Sequence, residues 1–229
     1  NTTVMNNVKK QVLFVSILFF CVSYIPSFAQ PLAWEKLYGF GYAYESSRID
    51  DETFYVCGSG AAGHPAMVMK LDQNGSQIWY REFENTSTSY ANCVVTTEDK
   101  GCVLLGYAQG RNAIWKYDSE GNLLWLKNFD GVTNFKKLMR NGNSFYASGD
   151  ASVYKFDSIG NLLWAKGFSN YTGLHIRDLC FKKNSNTLYC AGEFLLQYPV
   201  SRGFIGKIDA DGNITGERSY KILEKTTWY

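Results

Sequence analysis

Lys116-Tyr117-Asp118-Ser119-Glu120-Gly121-Asn122-Leu123-Leu124-Trp125 decides the fold, because its pattern returns along the chain. Lys70-Leu-Asp-Gln-Asn-Gly75, Lys155-Phe-Asp-Ser-Ile-Gly160 and Lys207-Ile-Asp-Ala-Asp-Gly212 share the form Lys-apolar-Asp-x-x-Gly. In three of the four units a tryptophan follows four residues after the glycine, at Trp79, Trp125 and Trp164, and Trp34 lies upstream in step with them. The tryptophan spacings are 45, 46 and 39 residues. A period of this size marks one supersecondary unit used repeatedly. Helical repeats of similar length would carry a 3.6-residue apolar rhythm, which these segments lack.

Each unit has room for four strands. In the second they are Asn92–Thr97, Cys102–Gly106, Asn112–Asp118 and Asn122–Phe129. Aspartate at the first and glycine at the fourth position of Asp-x-x-Gly fit a type I turn closing a hairpin, with the glycine free to take positive φ. If Asp118 and Asn122 flank that turn, Trp115 pairs with Trp125, Met69 with Trp79, Tyr154 with Trp164 and Gly206 with Gly216, so large faces large wherever the tryptophan is present. Gly58, Gly106, Gly149 and Gly192 close the second strand of each unit and read as the turn into the third. Composition agrees: 16 Tyr, 15 Phe, 6 Trp and 21 Gly against 4 Pro in 229 residues favour strands and turns over helices.

The expected fold is therefore all-β, a β-propeller of four-stranded blades. About four blades are complete. Leu32 to Phe40 reads as the outer strand of a blade before them and Lys221 to Tyr229 as the start of one after, so the expectation is a fragment of a larger ring with open edges.

The front of the chain carries an address. Lys9 and Lys10 precede the apolar run Val12 to Ile25, and Ser27-Phe28-Ala29 supplies small residues at the −3 and −1 positions of a cleavage site. The run falls short of the roughly 20 residues a membrane-spanning helix needs. Leu18-Phe19-Phe20 are too bulky to precede an acylated Cys21. Residues 1–29 thus read as a secretory signal with a few residues upstream of Met5, and 30–229 as the repeat domain, beginning at Gln30 after cleavage behind Ala29. The expected location is secreted, periplasmic or on the cell surface, with no transmembrane segment after processing. Loss of Lys9 and Lys10 leaves 21 basic and 21 acidic residues, a balance that argues against nucleic acid as a partner.

Lys-apolar-Asp-x-x-Gly-Asn-apolar-apolar-Trp resembles the PQQ-like and SBBP-type β-propeller repeats of secreted bacterial proteins, over residues 31–229. The Phe28-Ala29-Gln30 ending is similar to that of Gram-negative proteins exported through a C-terminal sorting domain, which the resemblance would place beyond Tyr229. Quinoprotein dehydrogenases with such repeats have one more residue between Asp and Gly and a disulfide between adjacent cysteines. This chain has no adjacent cysteines, so the resemblance is carried to the fold rather than to that activity.

Chemical motifs reduce to turns when their surroundings are read. Gly58-Ser-Gly60-Ala-Ala-Gly63 has dinucleotide-fingerprint spacing, but the fingerprint needs a following helix whose N-terminus holds the pyrophosphate, and Met67-Val-Met-Lys-Leu reads as a strand. Asp209-Ala-Asp211-Gly212-Asn213 has the start of a calcium loop. Asp157-Ser-Ile159-Gly160 keeps the turn without the second oxygen ligand, and no bidentate glutamate follows. Sialidase Asp boxes place Asp and Gly one residue closer. Two histidines, His64 and His175, are too few for a metal cluster, and no Gly-x-Ser-x-Gly occurs. Neither a cofactor nor a metal is expected.

Five cysteines remain after processing, an odd number for an oxidising compartment. A three-residue loop ending at Gly101 puts Cys93 and Cys102 on opposite faces as small core residues. Cys180 and Cys190 face each other, and could form a disulfide, if Asn184-Ser-Asn186 is a three-residue loop, but not if the loop has two.

In a propeller the connections between blades and those between second and third strands gather on one face. Here those are Glu84–Ala91, Asp130–Asn134 and Ser169–Gly173 between blades, and Ala61–Pro65, Gln109–Asn112, Gly149–Ala151 and Gln197–Arg202 within them. They supply His64, Arg111, Asp130, Asp150, Tyr171 and Arg202 as candidate binding residues. The expected function is a binding module for a protein or glycan. The alternative is a secreted hydrolase or quinoprotein-like oxidoreductase built on the same loops.

Overall fold

In the computed structural model, residues 41–60, 65–83, 89–131, 134–197 and 200–221 are described, all within the unit Lys36–Tyr229. They form sixteen strands in four sheets. The first blade is β1 (Gly41–Arg48), β2 (Thr53–Gly60), β3 (Ala66–Asp72) and β4 (Gln77–Glu82). The second is β5 (Tyr90–Thr96), β6 (Cys102–Ala108), β7 (Arg111–Tyr117) and β8 (Leu123–Phe129). The third is β9 (Lys137–Asn141), β10 (Ser144–Ser148), β11 (Ser152–Phe156) and β12 (Leu162–Gly167), and the fourth is β13 (Leu174–Phe181), β14 (Leu188–Gln197), β15 (Val200–Ile208) and β16 (Ile214–Lys221). Each sheet is an antiparallel meander whose spatial order follows the chain.

First strands of successive blades lie against one another, β1 on β5, β5 on β9 and β9 on β13, so the sheets fan out from a shared centre without closing into a ring. Of the segments expected to form partial blades, 32–40 lies outside the described residues and so does 221–229 apart from Lys221, which ends β16 instead of opening a further blade; the signal region 1–29 lies outside them too. Among the described residues no helix is long and apolar enough to cross a membrane.

Burial follows from alternation along each strand, and the second and third blades are covered by a neighbour on both faces. Tyr55, Cys57, Val68 and Trp79 of the first blade pack on Val94, Leu104 and Trp115 of the second. Leu105 and Ile114 on the other face of the second blade pack on Leu138, Phe145 and Phe156 of the third. Tyr146 and Val153 then meet Ile176, Leu188 and Phe204 of the fourth. Cys93 and Cys102 are both buried and belong to different seams, as the three-residue loop behind Thr97 requires.

The Asp-x-x-Gly turn forms as expected. Gly121 N donates to Asp118 O at 3.1 Å with Gly121 at φ 80°, and Asp118 Oδ1 accepts from Glu120 N at 2.9 Å and Asn122 N at 2.8 Å. Asp72, Asp157 and Asp209 repeat the arrangement.

The register beyond the turn corrects the expected pairing. Trp115 faces Leu126, and Trp125 faces Lys116; likewise Met69 faces Tyr80, Tyr154 faces Ala165, and Gly206 faces Glu217. The cause is a bulge on every outer strand, at Ile78, Leu124, Leu163 and Thr215, directly after the first pair beyond the turn. One extra residue shifts all later pairs by one and flips their faces. The bulge also disrupts an unpaired edge, which hinders the outer strands from recruiting another chain.

The flipped tryptophans lock the blades together. Trp79 lies over Gly121 of the next blade's turn, so that a Cβ there would sit 3.0 Å from its ring. Trp125 covers Gly160 and Trp164 covers Gly212 in the same way, at 2.7 and 2.9 Å. Trp79 Nε1 donates to Ser119 O at 2.9 Å, and Arg81 Nε to Gly121 O at 2.8 Å. The turn glycine therefore meets two demands: positive φ, and room for the ring behind it.

Cys180 and Cys190 are not opposite one another. Cys180 faces Tyr189 and Leu179 faces Cys190, because the connecting loop spans four residues, closed by Lys182 N donating to Thr187 O at 2.9 Å. Cys180 is exposed, Cys190 is buried, and both are free thiols.

Candidate functional site

Where they are described, the between-blade connections lie beside the second-to-third-strand turns, as expected. Ala66 N donates to Ser89 Oγ at 2.7 Å, Lys136 N to Ser148 O at 2.9 Å, and Ile176 N to Asp150 O at 2.8 Å. Inner strands therefore enter from this face. Just inside it, β1, β5 and β13 each carry a bulge, with Tyr44, Asn92 and Arg177 as the extra residue.

These bulges explain the second-strand glycines, and the explanation corrects their reading as turn residues. Gly58, Gly106 and Gly192 sit inside β2, β6 and β14. The carbonyl oxygens of Tyr42, Tyr90 and His175 come within 1.7, 2.0 and 2.2 Å of where a Cβ would be. Any larger residue would push the inner strand away. Only in the third blade does the glycine mark the turn, Gly149 N donating to Ser152 O at 2.8 Å.

One backbone device thus presents three unlike side chains. The Tyr44 hydroxyl lies 3.0 Å from Ser59 Oγ, Asn92 Nδ2 donates to Phe135 O at 3.0 Å, and Arg177 Nη2 donates to Glu193 Oε1 at 2.8 Å. Behind the first bulge, Glu45 accepts from Lys137 Nζ at 2.6 Å and from Val94 N at 3.1 Å. The Glu45 carboxylate raises the pKa of Lys137. Burial, then the nearby Glu45 charge, pushes the Cys93 thiol up to about 12, so it is an inert packing group. Between the third and fourth blades, Asp150 Oδ1 lies 3.1 Å from His175 Nδ1, with both side chains partly exposed.

Of the residues picked from sequence, Arg111 and Asp130 come together as an exposed ion pair, Nε to Oδ1 at 3.3 Å. Asp150 finds His175. Tyr171 packs its ring on Phe194 and Phe204, centroids at 5.0 and 4.8 Å, and so belongs to the third seam. Arg202 lies within β15 rather than in a loop, and its buried Nε has no hydrogen-bond partner. His64 lies outside the described residues.

Sequence reasoning missed Tyr44, Asn92, Arg177, Glu45, Lys137 and His175, which sit on strands or strand ends rather than loops. The recurring glycine in the second strand was the available signal, since an isolated strand glycine marks a bulge or a close backbone approach. At the opposite end, a cleft of about 180 Å³ includes Glu98, Asp99, Lys116 and Arg140. These charges neutralise one another, Lys116 to Asp99 at 2.6 Å and Arg140 to Glu98 at 3.5 Å.

No protein-family model matches the chain, and no curated protein matches it. Solved structures do. The Neurospora crassa Pan2 WD40 domain is similar with a TM-score of 0.55 and 11% identity, over 78% of this chain and 50% of that one. Sqt1 from Chaetomium thermophilum gives 0.51 and 12%, over 80% and 63%. The fold is a β-propeller. A subtype N11 neuraminidase-like protein gives 0.50 and 11%, over 83% and 56%. The propeller chain spans between half and two thirds of these structures. At such identities the likeness concerns the fold alone.

Proposed function

We propose that the chain is a secreted or cell-envelope binding module whose recognition surface is the entry face around the inner-strand bulges. One observation carries this reading: the same bulge, enforced by the same glycine, displays tyrosine, asparagine and arginine in three blades. Scaffold residues repeat, whereas recognition residues differ from blade to blade. The similarity of the repeat to PQQ-like and SBBP-type repeats of secreted bacterial proteins, together with the leader at 1–29, supports an extracytoplasmic location.

The test is affinity capture from a cell-envelope fraction, followed by binding measurements on the captured component. Asn92→Ala and Arg177→Ala should each weaken binding, by roughly 1–3 kcal/mol at a hot spot. Unchanged affinity in both would remove the surface from consideration. Asp150 and His175 form the arrangement on this face that an acid–base mechanism could use. Turnover by the purified protein that disappears in His175→Ala, with folding intact, would replace the binding reading by a hydrolytic one.

A further inference from the structure

The entry face carries an aromatic group that the binding reading leaves unassigned. Tyr42 and Tyr44 on β1 are among the few large apolar side chains left open, at 63% and 51% exposure. Tyr42 stands opposite Ser59 in the ladder, and the Tyr44 hydroxyl is anchored 3.0 Å from Ser59 Oγ. Tyr90 and Tyr107, paired across β5 and β6, stack with centroids 5.7 Å apart and planes 15° apart. β1 packs against β5, which brings the two pairs together at the first seam; burial, and after it the neighbouring Tyr107 and Tyr44 hydroxyls, raise the pKa of Tyr90. The Tyr107 hydroxyl donates to Gly110 O at 2.7 Å.

Among the described residues, what surrounds these rings is polar and its charges are paired. Asn92 donates to Phe135 O, and Asn128 Nδ2 donates to Gln109 Oε1 at 2.8 Å. The nearby charges are matched, Glu45 with Lys137 and Arg111 with Asp130. The exposed aliphatic residues Ile78, Leu123, Leu124, Leu162 and Leu163 belong to the outer strands instead. A protein partner is ordinarily anchored by arginine as well as aromatic side chains, and Arg111, in the hairpin that carries Tyr107, is already paired with Asp130. Tyrosine rings, two of them held by their hydroxyls at Tyr44 and Tyr107, with neutral amide and hydroxyl neighbours, suit a ligand with weakly positive C–H faces and many hydroxyls.

We propose that Tyr42, Tyr44, Tyr90 and Tyr107 form a docking platform for a neutral oligosaccharide. Sugar rings stack by their axial C–H faces on Tyr42 and Tyr44, and the stacked Tyr90–Tyr107 pair extends the platform across the seam to a neighbouring sugar unit. This assignment rests on the entry-face binding reading and narrows it to a ligand class. Anchoring of Tyr44 and stacking of Tyr90 on Tyr107 fix the rings in advance, which reduces the entropy lost on binding.

The experiment titrates the intact chain with cellotetraose, maltotetraose and chitotetraose, read by saturation-transfer NMR and calorimetry. At least one should bind, and Tyr42→Ala/Tyr44→Ala should weaken it by roughly tenfold or more. Tyr44→Phe, which keeps the ring and loses only the anchor, should cost about threefold. Raising salt to about 0.5 M should leave the affinity unchanged, since no charges pair in the complex. Failure of all three sugars at about 10 mM, or undiminished binding by the double variant, would overturn the proposal. A captured envelope protein that crosslinks to Tyr42 or Tyr44 would overturn the sugar assignment while leaving the entry-face reading standing. Hydrolysis lost in His175→Ala would defeat that reading itself.

Discussion

Trp79 of the first blade lies over Gly121 of the second, so close that a methyl group on Gly121 would come 3.0 Å from its ring. The repeat motif is therefore a joint between neighbours: the tryptophan of one copy packs on the turn of the next. Gly110, at φ 77° with no atom within 4 Å of where such a methyl group would sit, offers a control with the same backbone strain and no ring. Gly110→Ala should cost about 1 kcal/mol from positive φ alone. Gly121→Ala should cost about 2–4 kcal/mol because the ring must also move. Urea unfolding of the two variants decides it, and equal losses would remove the joint.

Glu45 and Lys137 tie the first blade to the third, past the second, at 2.6 Å. Both are partly exposed, so their coupling should be modest, about 0.5–1 kcal/mol in a Glu45→Gln, Lys137→Met double-mutant cycle. Glu45→Gln keeps an acceptor for Val94 N, which isolates the charge. Additive losses across the cycle would show that the pair contributes nothing.

Acid should loosen the turns together. Hydrogen bonds from Asn122 hold Asp118 below the usual carboxylate range, and those from Asn213 do the same for Asp209. At Asp157 burial acts to raise the pKa, but the combined bonds from Asn161 and Ile159 outweigh it and leave the carboxyl lowered as well. Groups depressed in the folded state stabilise it above their unfolded pKa of 3.8, and that contribution fades as pH falls through the lower folded values. Thermal melts between pH 5 and pH 2 should show a decline that Asp118→Asn, Asp157→Asn and Asp209→Asn, combined, make shallower. Asparagine keeps the acceptor oxygen without the titration. An unaltered slope in the triple variant would place the acid sensitivity elsewhere.

Cys180 should be the thiol that maleimide reaches first among the five described cysteines. Cys57, Cys93, Cys102 and Cys190 are buried, and burial raises their pKa values, to about 12 for Cys93 and Cys190. Intact mass without reductant should show no bond between Cys180 and Cys190. A pair of blocked thiols would contradict the observed register of β13 and β14.

Tyr171→Ala should lower stability, by about 2–4 kcal/mol, because the ring packs against Phe194 and Phe204. Calorimetry showing an unchanged melting temperature would return Tyr171 to the set of surface residues.

The sequence alone determined the unit and its strands. Period, glycine and aspartate positions, and aromatic composition are local signals, and Asp118 to Gly121 closes its turn with its own side chain and backbone, so no distant contact was needed to read it. Tertiary structure decided the faces. A single extra residue at Leu124 turned Trp125 away from Trp115 and toward the third blade, because side chains alternate with period two and one insertion inverts everything beyond it. The candidate site was hidden for a related reason. Gly106 marked a close approach whose partner, the Tyr90 carbonyl, can be identified only once two strands are side by side. Glu45 and Lys137 stand 92 residues apart, and only the fan of the sheets around a shared centre brings them to 2.6 Å.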